Sequence, residues 1–109
     1  MKAQPVNKAI DRMVRRIVKR FNPERVILFG SLVAGIPTPR SDADLLVVVA
    51  KSEHREPRDR VPEVLRALRP LPCPVDVFVL TAQELERYAS EGNPLLREAL
   101  GHGRDLLLL

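Results

Sequence analysis

A Gly-Ser pair and three aspartates are the residues of this chain best placed to do chemistry. Gly30-Ser31 is followed by ten residues and then Asp42-Ala43-Asp44, and Asp76 comes later in an apolar run. On a strand, side chains two apart point to one face, so Asp42 and Asp44 aim their carboxylates into the same space while Ala43 faces away. Two like charges held that close raise each other's pKa, and a divalent cation that prefers hard oxygen ligands relieves them. Mg²⁺ suits the position. It keeps several waters and takes one or two carboxylates plus substrate phosphates, so a nucleotide would complete such a site. Gly30 lets the backbone come close to a phosphate, and the N–H groups of a helix opening near Ser31 would face the anion. Asp-x-Asp alone is common where strands begin, and its ordinary role there is hydrogen bonding to backbone. The ordered combination carries the signal.

That combination resembles the minimal nucleotidyltransferases of the DNA polymerase β-like superfamily, whose signature is Gly-Ser, ten residues and Asp-x-Asp. The likeness covers nearly the whole chain. Asp76, within Pro74-Val75-Asp76-Val77-Phe78-Val79-Leu80, stands where the family carries its third carboxylate, and residues 91–100 and 103–107 look like its closing helix and last strand. The resemblance implies an α/β (α+β) fold of the polymerase β palm type, a small mixed sheet of about four strands flanked by helices. It also implies two Mg²⁺ ions, with Mn²⁺ as a substitute, held by Asp42, Asp44 and Asp76. Gly30 and Ser31 would hold the phosphates, and Asp76 would sit beside the attacking hydroxyl. Many members carry arginines just after the Gly-Ser, where this chain has Leu32 and Ala34, and Arg40 is the candidate replacement.

The activity so implied is transfer of AMP from ATP to a hydroxyl of a partner protein, as the antitoxin of a HEPN toxin pair. Two alternatives stay open: a small-molecule enzyme of the aminoglycoside-modifying type, and a non-catalytic module of the same fold that neutralises its partner. The intact carboxylates argue against the last, whereas Leu32 and Ala34 keep it open. No motif that reads a particular base is present. Larger nucleotidyltransferases recognise their acceptors with added domains for which 109 residues leave no room, so the acceptor is expected to bring its own docking surface. Self-association and a hetero-oligomer are both compatible with the sequence.

The elements that must position these residues follow from periodicity. Arg25 to Phe29 is β-branched and apolar and stops at glycine, which predicts a strand, with a short helix near 31–34 after the turn. Leu45-Leu46-Val47-Val48-Val49 is an unbroken apolar run, which predicts a central strand covered on both faces from about Asp42 to Ala50. Val6, Ile10, Met13, Val14, Ile17, Val18 and Phe21 fall at helical spacing with basic residues between them, and Asn22-Pro23 ends that helix. Lys51 to Arg60 is highly charged and reads as an exposed loop and helix start. A helix marked by Val61, Val64, Leu65 and Leu68 then leads to the Asp76 strand, a crossover that makes the two strands parallel. Thr81-Ala82-Gln83-Glu84 has the capping-box pattern. A further helix from Asn93 to Leu100 is expected to end on a left-handed glycine in Gly101-His102-Gly103, and Arg104 to Leu109 reads as an edge strand. His54, Tyr88, Cys73 and His102 are read as surface, packing, semi-buried and turn residues.

Composition narrows the class. The length suits one domain, residues 1–109, and 45% hydrophobic with 29% charged residues is the balance of a water-soluble globular protein. No run approaches a membrane span, no signal-peptide core is present, and the single cysteine excludes an internal disulfide, so the expected compartment is the cytoplasm. The net charge of +4 draws anions, nucleoside triphosphate included. With four aromatic residues there is little for base stacking, and direct nucleic-acid binding is not expected.

Overall fold

The computed structural model describes residues 8–30, 43–71 and 74–107. Ser31, Arg40, Asp42 and Cys73, and the short helix expected near 31–34, lie outside the described residues. Helix α1 (Lys8–Phe21) buries Ile10, Met13, Val14 and Ile17, the stripe that recurs at three and four residues, whereas Val18, expected on that stripe, lies at its margin and is exposed. Asn22 closes it with a left-handed backbone, φ 48°, its N–H donating to the Val18 carbonyl at 3.0 Å. Strand β1 (Arg25–Phe29) runs antiparallel to β2 (Ala43–Val49), with Phe29 opposite Asp44 and Arg25 opposite Val48.

From β2 the chain crosses through a 3₁₀ turn (Pro57–Arg60) and helix α2 (Val61–Ala67) to β3 (Val75–Thr81), which lies parallel to β2 as the crossover predicts. Helices α3 (Ala82–Ser90) and α4 (Pro94–His102) follow, then a short β4 (Arg104–Asp105) antiparallel to β1. The sheet order is β3-β2-β1-β4.

Strand β2 is central, and alternate residues feed two separate cores. Leu45 and Val47 pack with Val26, Leu28, Val77 and Val79 beneath α1 and α2. Leu46 and Val48 pack with Ile27, Phe29 and Leu80 beneath α3 and α4. All four β2 side chains are at most 1% exposed, which is why the run is apolar without alternation. The start of α3 is fixed by the full capping box: the Glu84 N–H donates to Thr81 Oγ1 at 3.2 Å, and the Thr81 N–H donates to Glu84 Oε1 at 2.9 Å. Asn93 caps α4 with its side chain alone, Oδ1 accepting from the N–H groups of Leu95 and Leu96.

The end of α4 departs from expectation. Its helix continues through Gly101 and His102, and Gly103 has an extended backbone, φ −80° and ψ 171°, with no left-handed cap. Glycine is needed there for space. A Cβ on Gly103 would overlap the Ala99 carbonyl and stand 2.7 Å from Ile27 Cγ2 and 3.0 Å from the Leu28 carbonyl, so α4 could not turn so tightly onto β1. Strand β4 is also shorter than expected, because Asp105 turns the chain. Its Oδ1 accepts from the Leu107 N–H at 3.0 Å while Oδ2 pairs with Arg25 Nε at 3.0 Å. Among the described residues no helix is long and apolar enough to cross a membrane.

Candidate active site

Asp44 and Asp76 are neighbours across the parallel β2–β3 pair, directly in register. Residues opposed in this way project to the same side, and here it is the side of Leu46, Phe78 and Leu80, away from α1 and α2. Phe29 stands opposite Asp44 on β1, and its ring lies 6.0 Å from that of Phe78 at a 41° tilt. Two carboxylates are thus mounted on an apolar floor at the end of the sheet where β1 finishes and β2 and β3 begin. Asp76 is exposed and Asp44 half-buried.

Gly30 follows β1 at this same end, with φ at +87°, a region L side chains rarely adopt. A Cβ built there would overlap Asp44 Oδ2. Glycine is therefore required twice over, for the turn and for the space that the Asp44 carboxylate occupies. Beyond the close approach of a phosphate that the sequence predicts for it, Gly30 is tied sterically to Asp44. The cradle fits a hard divalent cation, since two in-register carboxylates offer oxygen donors from adjacent strands and the glycine removes the one Cβ that would crowd them. Among the described residues no group of three His, Cys, Asp or Glu side chains gathers, and the third aspartate of the expected set, Asp42, falls outside them.

A family model for the nucleotidyltransferase domain matches residues 10–106, a span that includes Gly30, Asp44 and Asp76. The chain belongs to this family. A solved structure at 1.40 Å, of a "putative nucleotidyltransferase from Sulfolobus solfataricus", is 31% identical to this nucleotidyltransferase chain; the likeness covers 73% of this chain and 70% of the other, with a TM-score of 0.57. Comparison with curated proteins gives no match. The mixed four-stranded sheet between two helical layers is the polymerase β-like fold, and the class of chemistry is nucleotidyl transfer.

One residue important to the nucleotidyltransferase framework was not legible in the sequence. Arg60, 5% exposed, lies beside the outer edge of β3. Its Nη1 and Nη2 donate to Glu84 Oε1 and Oε2 at 2.6 and 3.1 Å, and Nη1 also reaches the Val79 carbonyl at 3.2 Å. Nε and Nη2 donate to the His54 carbonyl at 3.0 and 2.8 Å, and Nη2 to that of Arg55 at 3.3 Å. The guanidinium therefore ties the loop after β2, the strand that carries Asp76 and the first turn of α3 into one unit. Its hydrogen bonds to the Glu84 carboxylate hold that group below the usual carboxylate range, against the opposing effect of burial. His54 itself is exposed, as expected, and it is its carbonyl that meets Arg60. Tyr88 packs half-buried against the α3–α4 core with the Arg87 guanidinium 4.7 Å from its ring centre.

Proposed function

We propose that this chain transfers AMP from Mg²⁺-bound ATP to a hydroxyl of a partner protein. The observation that carries the reading is the in-register pair Asp44 and Asp76, with Gly30 clearing space for the Asp44 carboxylate. Asp44, with Asp42, would hold the metal ions, and Gly30 with Ser31 and Arg40 would face the triphosphate. When bound, the metal neutralises phosphate charge and favours departure of pyrophosphate. Asp76, the more exposed of the in-register pair, would bind the metal beside the attacking hydroxyl and help to take its proton. The hydroxyl oxygen forms a bond to the α-phosphorus, the bond from that phosphorus to the bridging oxygen breaks, and pyrophosphate leaves with the electron pair. The apolar floor of Phe29 and Phe78 lowers the local dielectric and strengthens each of these charge interactions.

The acceptor implied by the motif resemblance is a HEPN-domain toxin, with this chain as its antitoxin in the cytoplasm. AMP on a tyrosine or similar hydroxyl near the toxin's active site would block an RNA groove with bulk and negative charge. Intact-mass spectrometry of a HEPN protein encoded beside this chain, incubated with the chain, ATP and Mg²⁺, tests the reading. An AMP-sized increase that the Asp42→Asn/Asp44→Asn double variant fails to give is the expected result. Suppression of the toxin by that variant without any mass increase would replace transfer with simple binding, and absence of any interaction would move the acceptor to a small molecule.

A further inference from the structure

A second concave site lies at the end of the sheet opposite the carboxylates. Strands β2 and β3 stay in register from Asp44 and Asp76 to Val49 and Thr81, so at about 3.3 Å per residue their far ends stand roughly 17 Å from the two acids. There the segment that leaves β2 and one side of α3 border a cleft of about 760 Å³. Its charges are unevenly matched. Arg60 and Glu84 both line it and offset each other, because the guanidinium holds both carboxylate oxygens. That leaves Lys51, Arg55 and Arg87 against Glu86. Among the described residues none of these three cations has an ion-pair partner. The Arg87 guanidinium is held over the Tyr88 ring instead. Like charges around one space repel one another, and an anion among them relieves the repulsion. Ser52 adds a neutral donor: its Oγ accepts from the His54 N–H at 3.1 Å, which leaves the hydroxyl proton to be donated. Gln83 adds an amide, and among the described lining residues Ala50 is the one apolar side chain.

We propose that this cleft binds an inorganic oligophosphate, pyrophosphate or triphosphate, as a site separate from the carboxylates. The chemistry of the lining selects that class. Guanidinium, ammonium, hydroxyl and amide groups all donate to phosphoryl oxygens, and hydrogen bonds between charged partners are the strong ones. The cations stand on two elements, Lys51 and Arg55 after β2 and Arg87 on α3, so the anion that meets all three carries charge along its length. A single phosphate would leave most of the cleft to water. A nucleoside adds nothing to the bare phosphate chain, because no Phe, Tyr, Trp or branched aliphatic side chain is among the described lining residues to take a base. The same lack of apolar wall disfavours an acidic peptide, whose side-chain stems need one. Glu86 is the one lining group that opposes the anion without a partner of its own, which makes it a lever on affinity.

The test is NMR titration of the full chain with sodium triphosphate, in EDTA so that no divalent ion bridges to Asp44 and Asp76. Amide shifts should gather at Ser52, Arg55, Gln83 and Arg87 and saturate; shifts confined to Gly30 and Asp44, or no saturable binding, overturn the site. Lys51→Gln/Arg87→Gln, both exposed positions, should weaken binding about tenfold, and Glu86→Gln should tighten it about threefold, with circular dichroism unchanged. Arg12→Gln/Lys19→Gln, exposed on α1, removes the same charge elsewhere; an equal weakening by that pair would reduce the effect to net charge and overturn the proposal. ATP in EDTA should bind no tighter than triphosphate, and a tetraglutamate peptide more weakly. Binding of ATP about tenfold tighter, or of the peptide equally tight, would replace the oligophosphate with a nucleotide or an acidic segment. Calorimetry with ATP and Mg²⁺ on Lys51→Gln/Arg87→Gln keeps this site apart from the transfer reaction: nucleotide affinity should stay at the wild-type value, and a parallel loss would overturn the separation of the two sites.

Discussion

Removing the Arg60 guanidinium should cost this domain a large share of its stability. Arg60→Ala deletes a two-pronged pair with Glu84 at 2.6 and 3.1 Å together with every bond to the carbonyls of Val79, His54 and Arg55. The carbonyls near the loop surface would be taken up by water. Val79 and the Glu84 carboxylate would fare worse, since the Glu84 side chain is only 18% exposed and would keep just the Thr81 N–H. Breaking one half of a buried ion pair costs about 3–5 kcal/mol. A domain of this size has about 5–15 kcal/mol in all, so the melting temperature should fall by roughly 12 to 20 °C. Glu84→Gln keeps a carbonyl acceptor for Thr81 and one prong of Arg60 but leaves the buried guanidinium without its counter-charge, so it should cost about 3 kcal/mol, the low end of the same range. Arg60→Lys should fall close to the alanine variant, because an ammonium cannot span both carboxylate oxygens and three carbonyls. Urea unfolding followed by circular dichroism measures each value. Arg60→Ala within about 1 kcal/mol of wild type, at an unchanged m-value, would refute the clamp.

Three further outcomes follow from the same contacts. Glu84 has a lowered pKa in the folded state, so its contribution is present above the ordinary carboxylate value of 4.5 and is lost as pH falls through the lower folded value; acid titration of stability should show a shallower decline below pH 4.5 for Glu84→Gln than for wild type. Gly30→Ala must adopt a φ near +87° and move the Asp44 carboxylate, so a loss of about 1–3 kcal/mol by chemical denaturation should accompany weakened Mg²⁺-dependent ATP binding by calorimetry. Gly103→Ala is remote from the carboxylates and meets the Ala99 and Leu28 backbone; it should lose about 1–3 kcal/mol in denaturant while its ATP affinity stays at the wild-type value.

Most of the framework could be read from local pattern, because pattern reports what each element buries. The 3.6-residue stripe of α1, the two-faced apolar run of β2, the crossover that makes β2 and β3 parallel and the Thr81–Glu84 box all appear in the structure as expected. Of the site, Asp44 and Asp76 were legible as types on strands, and their alignment in register is what the structure adds. Arg60 was not legible. It sits in a charged stretch that reads as exposed, and its burial depends on Glu84, 24 positions away, which the sequence explains fully as a helix cap. One carboxylate serves both roles, so the local explanation hid the distant one. Gly103 was misread for a related reason: a glycine after a helix suggests left-handed backbone, whereas the constraint comes from β1, far off in sequence.

The alignment of Asp44 with Asp76 also bears on how the chain finds its fold. A strand buried on both faces has no polar side to fix its pairing, and Leu45 to Val49 would satisfy either core after a slip along β3. The aspartates remove that freedom. Sliding β2 by two residues would carry Asp44 into the place of Leu46, which is fully buried, and would leave a carboxylate in the core without a partner, at a cost of several kcal/mol. A slip of one would turn Asp44 toward α1 and α2 and leave Asp76 on the opposite face. The residues assigned to chemistry therefore double as the key that selects one strand pairing from several apolar equivalents, and neutral replacements such as Asp44→Leu are expected to loosen the choice of register even where they raise hydrophobicity.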